Sequence, residues 1–270
     1  MPELPEVETV KRTLKPLIVN KTIKAIDIYY DRIIEDDQKL FCQKVINQTI
    51  RDIDRYGKYL IFKLDDVAFI SHLRMEGKYR YCLSDEEISK HDHVVFKLDD
   101  GHDLRYNDTR KFGRMKLVSL QHYLEQAPLN KLGPEPFFID EEKLYQQLKK
   151  KNQPIKHVLL DQSVICGIGN IYANEICFAM KISPYAKACQ LTKKRVHELK
   201  EVSISILNRA IEQGGTTIHS FSANGIDGLF QVQLQVHGQK VCKECGHKIV
   251  KEMLKGRGTY YCPHCQKAKK

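Results

Sequence analysis

The sequence contains no apolar run that approaches the roughly 20 residues that a membrane-spanning helix needs. Its first residues carry acids at Glu3, Glu6 and Glu8 and lack an apolar stretch, so we predict that they do not form a signal peptide. There is no internal repeat, and no low-complexity tract apart from the terminal Lys269-Lys270. Membrane-spanning, secreted and repeat architectures are therefore not expected.

A pairing pattern is missing from five of the nine cysteines. An odd, unpatterned set of thiols is typical of a reducing compartment, in which such side chains are usually just buried. The five are Cys42, Cys82, Cys166, Cys177 and Cys189. We therefore expect a cytoplasmic protein without a disulfide framework.

Positive charge is what the sequence has in excess. The 270 residues carry a formal net charge of +10 and a pI of about 9.0, which suggests an anionic partner such as nucleic acid or a membrane surface. Hydrophobic residues make up 42 % of the chain, enough for a substantial core. The length allows one large domain, or two domains with a small appendix.

The second residue is a proline, within the start Met1-Pro2-Glu3. Removal of Met1 would leave Pro2 with a secondary amine whose pKa, about 7.7–8.0 for an α-amino group, is far below that of a lysine. An unprotonated amine is a nucleophile toward carbonyl-like carbon. Because the amine is secondary, its adduct stays a cationic iminium, which is a strong electron sink. Glu3 is adjacent and can transfer protons.

The hydrophobic pattern changes along the chain from helix to strand and back to helix. Pro5 suits a first helical turn, and the helical spacing of Val7, Val10, Leu14 and Leu17 predicts a helix directly behind Pro2. Period-two alternation predicts a mostly antiparallel sheet over about residues 20–120, arranged as a sandwich, with a hairpin turn at Asp99-Asp100-Gly101. Gly133-Pro134-Glu135-Pro136 is typical of a linker, and a long amphipathic helix from Val196 to Ile211, ended by Gly214-Gly215, is expected beyond it.

Four cysteines near the end of the chain have the spacing of a zinc site. The pairs Cys242-x2-Cys245 and Cys262-x2-Cys265 can each present two thiolates from a tight turn and together complete a tetrahedron. A closed site of four thiolates predicts one structural zinc ion rather than a catalytic one. Residues 240–270 also carry nine Lys or Arg against two acids, a net +7 that suits contact with phosphates.

A glycine-bearing turn precedes another predicted helix. Gly167 and Gly169 allow a close backbone approach to a ligand, and the N–H groups at a helix start attract anions. Asn170 adds side-chain donors, and Lys156 and the run Lys149-Lys150-Lys151 lie shortly upstream. Together they suggest a DNA phosphate as the anion.

Four segments, in order from the first residue to the last zinc cysteine, resemble bacterial formamidopyrimidine-DNA glycosylase, an 8-oxoguanine DNA glycosylase and AP lyase. They are MPELPEVETV, Arg55-Tyr56-Gly57-Lys58-Tyr59-Leu60, Gly167–Glu175 and Gly256-Arg257-Gly258-Thr259-Tyr260-Tyr261-Cys262. Leu4 resembles this branch more than the related endonuclease VIII branch, and the polar loop from Ser220 to Gly228 resembles the family's base-capping loop.

The resemblance implies a role for individual residues. Pro2 would attack C1′ of the damaged nucleotide, Glu3 would donate a proton, and Glu6 would support the site. Lys58 would serve as the proton donor of β-elimination and Arg257 of δ-elimination, with Arg257 also gripping phosphate. The implied DNA-binding set, in which Met75, Arg110 and Phe112 fill the gap left by an extruded base, is His72, Met75, His91, Arg110, Phe112, Lys151, Lys156 and Asn170.

The resulting expectation is an α+β protein with three domains. These are an N-terminal antiparallel β-sandwich with flanking helices (1–131), a helix-two-turn-helix domain (132–236) and a C-terminal zinc-ribbon hairpin (237–270). It would act on damaged double-stranded DNA as a monomer in the bacterial cytoplasm, at the nucleoid when bound, without a membrane. The alternatives are an endonuclease VIII-like glycosylase for oxidised pyrimidines, a non-catalytic zinc-ribbon DNA-binding protein and a basic RNA-binding module.

Overall fold

The structure, a computed structural model, describes residues 1–216 and 229–267. The described residues divide into a first unit, Met1–Asn130, and a second unit formed by Lys131–Thr216 and the chain from Leu229 onward. The loop expected to cap the base, Ser220 to Gly228, lies outside the described residues. None of the helices in the described part combines the length and apolar character that crossing a bilayer requires.

The first unit contains two helices and two four-stranded antiparallel sheets. One sheet has the order β1-β6-β7-β5 and the other β2-β3-β4-β8. The elements are α1 Leu4–Ile18, β1 Ile23–Ile28, α2 Gln38–Val45, β2 Asp52–Tyr56, β3 Tyr59–Lys63, β4 Val67–His72, β5 Lys78–Leu83, β6 Asp92–Leu98, β7 His102–Asn107 and β8 Arg114–Ser119. Short 3₁₀ turns occupy Asp31–Ile33, Tyr123–Glu125 and Leu129–Lys131.

Aromatic side chains from both sheets form the centre of this unit. The ring of Phe69 on β4 stacks on Phe62 of β3, with centroids 4.5 Å apart, and on Phe96 of β6 in the other sheet at 5.5 Å. Phe41 of α2 meets Phe69 edge-on at 5.6 Å. Since period-two alternation sends every second side chain of each strand inward, the two sheets bury one shared layer, and the predicted sandwich is confirmed.

The first helix also follows the prediction. It begins at Leu4, two residues after Pro2, and its buried face includes Val7, Val10 and Leu14. The predicted hairpin at Asp99–Gly101 joins β6 to β7, which pair with Phe96 opposite Leu104. Residues 1–130 therefore consist of a β-sandwich flanked by helices, as the alternation and the helical spacing indicated.

The second unit is helical up to a C-terminal hairpin. Its helices are α3 Glu141–Lys149, α4 Ile155–Leu159, α5 Asn170–Ala179 and α6 Lys193–Glu212, with 3₁₀ turns at Pro136–Phe138, Ala188–Gln190 and Phe230–Gln233. The long predicted helix is α6, which begins three residues before Val196 and ends one residue after Ile211. It is followed by Gly214 and Gly215, whose φ angles are 73° and 79°. This left-handed backbone, which glycine adopts without strain, ends the helix.

Strands β9 (Val250–Leu254) and β10 (Arg257–Tyr261) form the hairpin that carries the cysteines. Its two-residue turn, Lys255-Gly256, has positive φ at both positions, which is the turn geometry that matches the twist of paired strands. A small core packs Cys242 and Cys262 with Phe178, Val236 and Ile249. This core is too small to hold such a hairpin alone, which explains the need for a metal ion.

Candidate functional site

The N-terminus of α1 holds the beginning of the chain in a defined position. Glu3 is the N-cap residue, and its N–H donates to the Glu6 carboxylate at 2.8 Å. Both side chains are 2 % exposed, and Pro2 is half-buried. Satisfying an N–H at the helix start in this way fixes the backbone immediately next to Pro2.

Two ion pairs set the direction of α1 relative to β2. Glu8 accepts from the Arg55 guanidinium at 2.9 Å, and Lys15, two turns later, pairs with Asp52 at 2.7 Å. Helix and strand therefore run antiparallel, and the N-terminus of α1 lies toward the end of β2. Burial alone would raise the pKa of Glu8, but its hydrogen bonds from Arg55 and Lys11 outweigh burial and lower that pKa.

Lys58 lies in the turn at that end of β2. It follows Gly57, whose φ is 57°, and the Gly57 carbonyl accepts from Arg55 at 3.1 Å. The lysine is only 6 % exposed. Through the Glu8–Arg55–Gly57 connection, the structure brings Pro2, Glu3 and Lys58 to the same end of the α1–β2 pair.

His72, at the end of β4, is a neutral histidine. Burial, together with the nearby charges of Arg74 and Lys58, lowers its pKa to about 3. Its Nδ1 accepts from the Arg74 N–H at 2.9 Å, so the ring hydrogen is on Nε2. Any contact that this side chain makes with a phosphate therefore uses a neutral N–H donor and not a cation.

A buried aspartate organises the loop that carries Arg110 and Phe112. The Asp108 carboxylate, 0 % exposed, accepts from the backbone N–H groups of Arg110, Phe112 and Gly113, each at 2.9 Å. Tyr106 Oη also donates to it at 3.4 Å. Four donors on one carboxylate fix the loop backbone and thus the directions in which the two exposed side chains leave it.

The other predicted gap-filling residue and His91 lie next to this loop. Thr109 donates to Glu76, the neighbour of the half-buried Met75, so the two loops are joined. The Asp108 N–H donates to the His91 carbonyl at 3.0 Å. Within the loop, the Arg110 guanidinium lies 5.0 Å from the centroid of the Phe112 ring.

Sequence reasoning missed the residues that hold these side chains. An aspartate side chain typically accepts hydrogen bonds from backbone N–H groups a few residues further along the chain. The run Asp108-Thr109-Arg110 therefore indicates such a turn from the sequence alone. Glu8 and Arg55 are 47 positions apart, so no local signal pairs them.

In the second unit, two side chains assigned to phosphate converge on a protein carbonyl. Lys156, 0 % exposed, donates to the Gly258 carbonyl at 3.0 Å and to Thr259 Oγ1 at 2.7 Å. Asn170 Nδ2, at the start of α5, donates to the same carbonyl at 3.0 Å, while its buried Oδ1 has no hydrogen-bond partner among the described residues. These contacts hold β10, whose first residue is Arg257, against the starts of α4 and α5.

The glycine turn itself differs from the expectation of open N–H groups. Gly167 has φ 93°, and its N–H donates to the Gln162 side chain at 3.0 Å. The Gln162 amide donates in return to the carbonyls of Leu160 and Ile168. This side chain therefore uses one of the donors that the sequence suggested for an anion.

Lys151 and Arg257 meet in one polar cleft of about 370 Å³. Its lining residues are Lys151, Gln153, His157, Leu160, Asp161, Lys255 and Arg257. Lys151 pairs with Asp161 at 3.0 Å, whereas Lys255 and Arg257 are exposed. The cleft thus presents several cations, balanced by a single acid, to a ligand from solvent.

The four C-terminal cysteines fit a zinc ion. Their sulfur atoms all lie within 4.8 Å of one another, with Cys242 to Cys265 at 3.9 Å and Cys245 to Cys262 at 3.5 Å. A tetrahedral zinc with bonds of about 2.3 Å separates its sulfur ligands by about 3.8 Å. The chain therefore holds one structural zinc ion in a closed four-thiolate site.

Comparison with known proteins agrees with this arrangement. Three family models match: the formamidopyrimidine-DNA glycosylase N-terminal domain at residues 1–115, the H2TH domain of the same enzyme at 132–222, and a zinc finger found in FPG and IleRS at 239–268. The formamidopyrimidine-DNA glycosylase of Bacillus licheniformis is 46 % identical over 99 % of this chain and 100 % of its own. That of Enterococcus faecalis is 47 % identical over 100 % and 98 %.

Solved structures with DNA are similar over the same length. A Lactococcus lactis FPG complex with abasic-site DNA has a TM-score of 0.93 at 41 % identity, covering 98 % of this chain and 100 % of that one. A variant of that enzyme with Fapy-dG-containing DNA has a TM-score of 0.94 at 41 % identity, covering 99 % and 100 %. The fold and the zinc site define a DNA N-glycosylase with a helix-two-turn-helix domain and a zinc finger. The chain belongs to the formamidopyrimidine-DNA glycosylase family.

Burial of neutral His72 predicts a loss of stability in mild acid. The unfolded chain takes up a proton below the ordinary pKa of 6.5, whereas the folded chain stays unprotonated until about 3, so stability falls as pH falls through that window. Between pH 7 and 5 we expect His72 to account for about 2 kcal/mol of the loss in unfolding free energy. The unfolding free energy measured by urea denaturation should depend less on pH in His72→Gln than in the parent. In the exposed control His122→Gln it should depend on pH as in the parent. Equal dependence in all three would contradict the assignment.

Removal of the Asp108 carboxylate should loosen its loop. Asp108→Ala leaves the buried N–H donors without their acceptor, so we expect a loss of about 2–4 kcal/mol in unfolding free energy. Hydrogen exchange should accelerate at residues 110–113. Asp85→Ala, which removes an exposed carboxylate, serves as the control. Unchanged exchange at 110–113 would show that Asp108 does not order the loop.

Proposed function

We propose that this chain excises oxidised purines, such as 8-oxoguanine and formamidopyrimidines, from duplex DNA and then cleaves the strand during base excision repair. The observation that carries the proposal is the arrangement at the start of α1, where Pro2 adjoins the buried Glu3 and Glu6 at the Lys58 end of β2. A protein that only binds DNA has no need for a fixed N-terminal secondary amine beside buried acids and a buried lysine. The relatives named above support the same activity.

The proposed reaction begins once Met1 has been removed. The unprotonated Pro2 nitrogen forms a bond to C1′ of the damaged nucleotide, the bond from C1′ to the base breaks, and the base leaves with a proton. Glu3 acts as the proton donor, and Glu6, which holds the Glu3 N–H, acts as a positioning residue. The C1′–O4′ bond of the sugar then breaks as O4′ takes up a proton, which leaves Pro2 joined to C1′ as a cationic iminium. The iminium acidifies the C2′ proton, so loss of this proton together with the 3′ phosphate by β-elimination becomes feasible, with Lys58 as the proton donor.

The chemistry requires the damaged base to leave the duplex at a cost of a few kcal/mol. We propose that Met75 and Phe112 replace the lost stacking and that Arg110 hydrogen-bonds the orphaned base. The Asp108 loop supports this role because it holds Arg110 and Phe112 on a fixed backbone that is joined to the Met75 loop. His91 and the neutral His72 would contact the adjacent DNA backbone. The His91 carbonyl accepts a hydrogen bond from this loop.

The second unit would bind the phosphates that flank the lesion. Lys151 and Arg257 would bind them in the cationic cleft, and Arg257 would also serve δ-elimination. Lys156 would attract a phosphate through its charge, and Asn170 would bind one through its side-chain amide. Both would also position Arg257 by holding the Gly258 carbonyl. The zinc ion keeps the hairpin in shape for these contacts.

The proposal implies a cellular setting and a division of the chain. A DNA-repair enzyme works where the chromosome is, so we infer a cytoplasmic monomer that joins the nucleoid when bound to DNA and does not use a membrane. We also propose that residues 1–131 form the catalytic domain, 132–236 the helix-two-turn-helix domain and 237–270 the zinc finger.

Covalent trapping tests the proposal. Borohydride should reduce the Pro2 iminium and give a stable adduct with duplex DNA that contains 8-oxoguanine opposite cytosine. Pro2→Gly should lower the adduct yield sharply while DNA affinity is retained. Pro16→Gly, at an exposed position of the same helix, should trap like the parent. A full yield from Pro2→Gly would assign the nucleophile elsewhere, and binding without any adduct would favour a DNA-binding protein. Preferential trapping on oxidised pyrimidines would favour an endonuclease VIII-like substrate range.

The role of Arg257 predicts a change in the products. In Arg257→Ala, the ratio of β-elimination ends to δ-elimination ends should rise about tenfold. The number of counterions released on DNA binding, read from the salt dependence of the affinity, should fall by about one. Lys255→Asn, which removes the neighbouring charge and tolerates positive φ, should leave the product ratio unchanged. Equal product ratios in Arg257→Ala and the parent, measured on sequencing gels, would exclude the δ-elimination role.

A further inference from the structure

Each of the two cysteine pairs carries a histidine that the zinc site does not use. His247 follows Cys245 by two residues, and His264 lies between Cys262 and Cys265. The two imidazole rings are exposed and stack nearly parallel, with centroids 4.2 Å apart and an interplanar angle of 8°. Nitrogen lone pairs lie in the ring plane, so the two rings can bind one ion only after one of them turns out of this stack, a rotation that is open to an exposed side chain. One ligand atom from each ring and the Cys245 sulfur all lie within 4.8 Å of one another.

The protonation pattern of His247 suits metal binding. Its Nδ1 lies 3.2 Å from the Cys245 carbonyl, which can only accept a hydrogen bond, so Nδ1 carries the hydrogen. Nε2 then holds the lone pair. A carbonyl that receives the other ring N–H is the usual device that orients a metal-ligating histidine and increases its basicity.

Electrostatics favour a second cation at this place despite the surrounding lysines. Four thiolates on one Zn²⁺ leave a net charge of −2 on the cluster, and Cys245 is a half-buried residue of it. A zinc-bound thiolate keeps lone pairs that can bridge to another metal ion. Two imidazoles and a thiolate form a borderline-to-soft donor set, which selects first-row transition ions over Mg²⁺ and Ca²⁺.

We propose that His247, His264 and the Cys245 thiolate form a second, exposed site for a divalent transition-metal ion of the Zn²⁺ type, with the thiolate shared with the structural zinc. Three protein ligands leave at least one position for water. The site is independent of the chemistry at Pro2 and depends only on the presence of the structural zinc.

Metal stoichiometry of the zinc-loaded full chain tests this site. Equilibrium dialysis against increasing free Zn²⁺, with elemental analysis, should show one retained equivalent and a second that saturates in the micromolar range. Co²⁺ added to the same zinc-loaded protein should produce an absorption band from charge transfer between sulfur and cobalt, which only a site containing a thiolate gives. His247→Ala and His264→Ala should each keep the first equivalent and the parent melting temperature, and each should lose the second equivalent and the band.

A control variant separates this site from another surface group. Glu141, His197 and Glu201 also lie within ligand distance of one another, although Glu141 is paired with His197 at 3.1 Å and with Lys200 at 3.2 Å. His197→Ala should retain the second equivalent at Cys245. Loss of the second equivalent in His197→Ala alone would overturn the proposal, as would its absence from the parent. Loss of the first equivalent in the His247 or His264 variant would show that these histidines belong to the structural site, which also overturns it.

Discussion

The hydrogen bond from the Glu3 N–H to the Glu6 carboxylate is the interaction on which the proposed chemistry depends. Chain termini are usually frayed, and a frayed amine would have no fixed direction of attack. Here the first helical turn satisfies its own N-terminal donor with a buried acid, and the Glu8–Arg55 pair fixes that turn against β2. Orientation of this kind is worth many kcal/mol in an attack on carbon, since it replaces an encounter in solution with a preformed geometry.

Buried charges repeat this logic elsewhere in the chain. Asp108 is fully buried, and its donors among the described residues are the Tyr106 hydroxyl and three backbone N–H groups, which keep a loop in one conformation. Lys156 is fully buried and gives hydrogen bonds to a carbonyl and a hydroxyl of the zinc hairpin. In both cases a buried polar side chain orders the backbone beside an exposed residue, Arg110 or Arg257, to which we assign a DNA contact.

Much of this structure could be predicted from the sequence because its signals are local. The cysteine spacing defined the zinc site, the period-two alternation at Val94–Leu98 defined a strand, and Pro5 with Val7 and Val10 defined a helix start. Several of the contacts that escaped prediction are formed between residues far apart in sequence. Lys156 meets Thr259 across 103 positions, and nothing near either residue indicates that this ammonium is buried and not exposed. The contact between Gln162 and the Gly167 N–H is local, but a glycine turn before a helix suits an external anion as well as an internal acceptor, so the sequence does not distinguish the two.

The measurement that tests the central claim most directly is mass spectrometry of the active enzyme before and after reduction on damaged DNA. We predict an intact mass that lacks Met1, and a digested adduct in which the deoxyribose remnant is attached to the peptide that begins at Pro2. Fully active enzyme that retains Met1, or a remnant attached to Lys58 or to any other side chain, would contradict it.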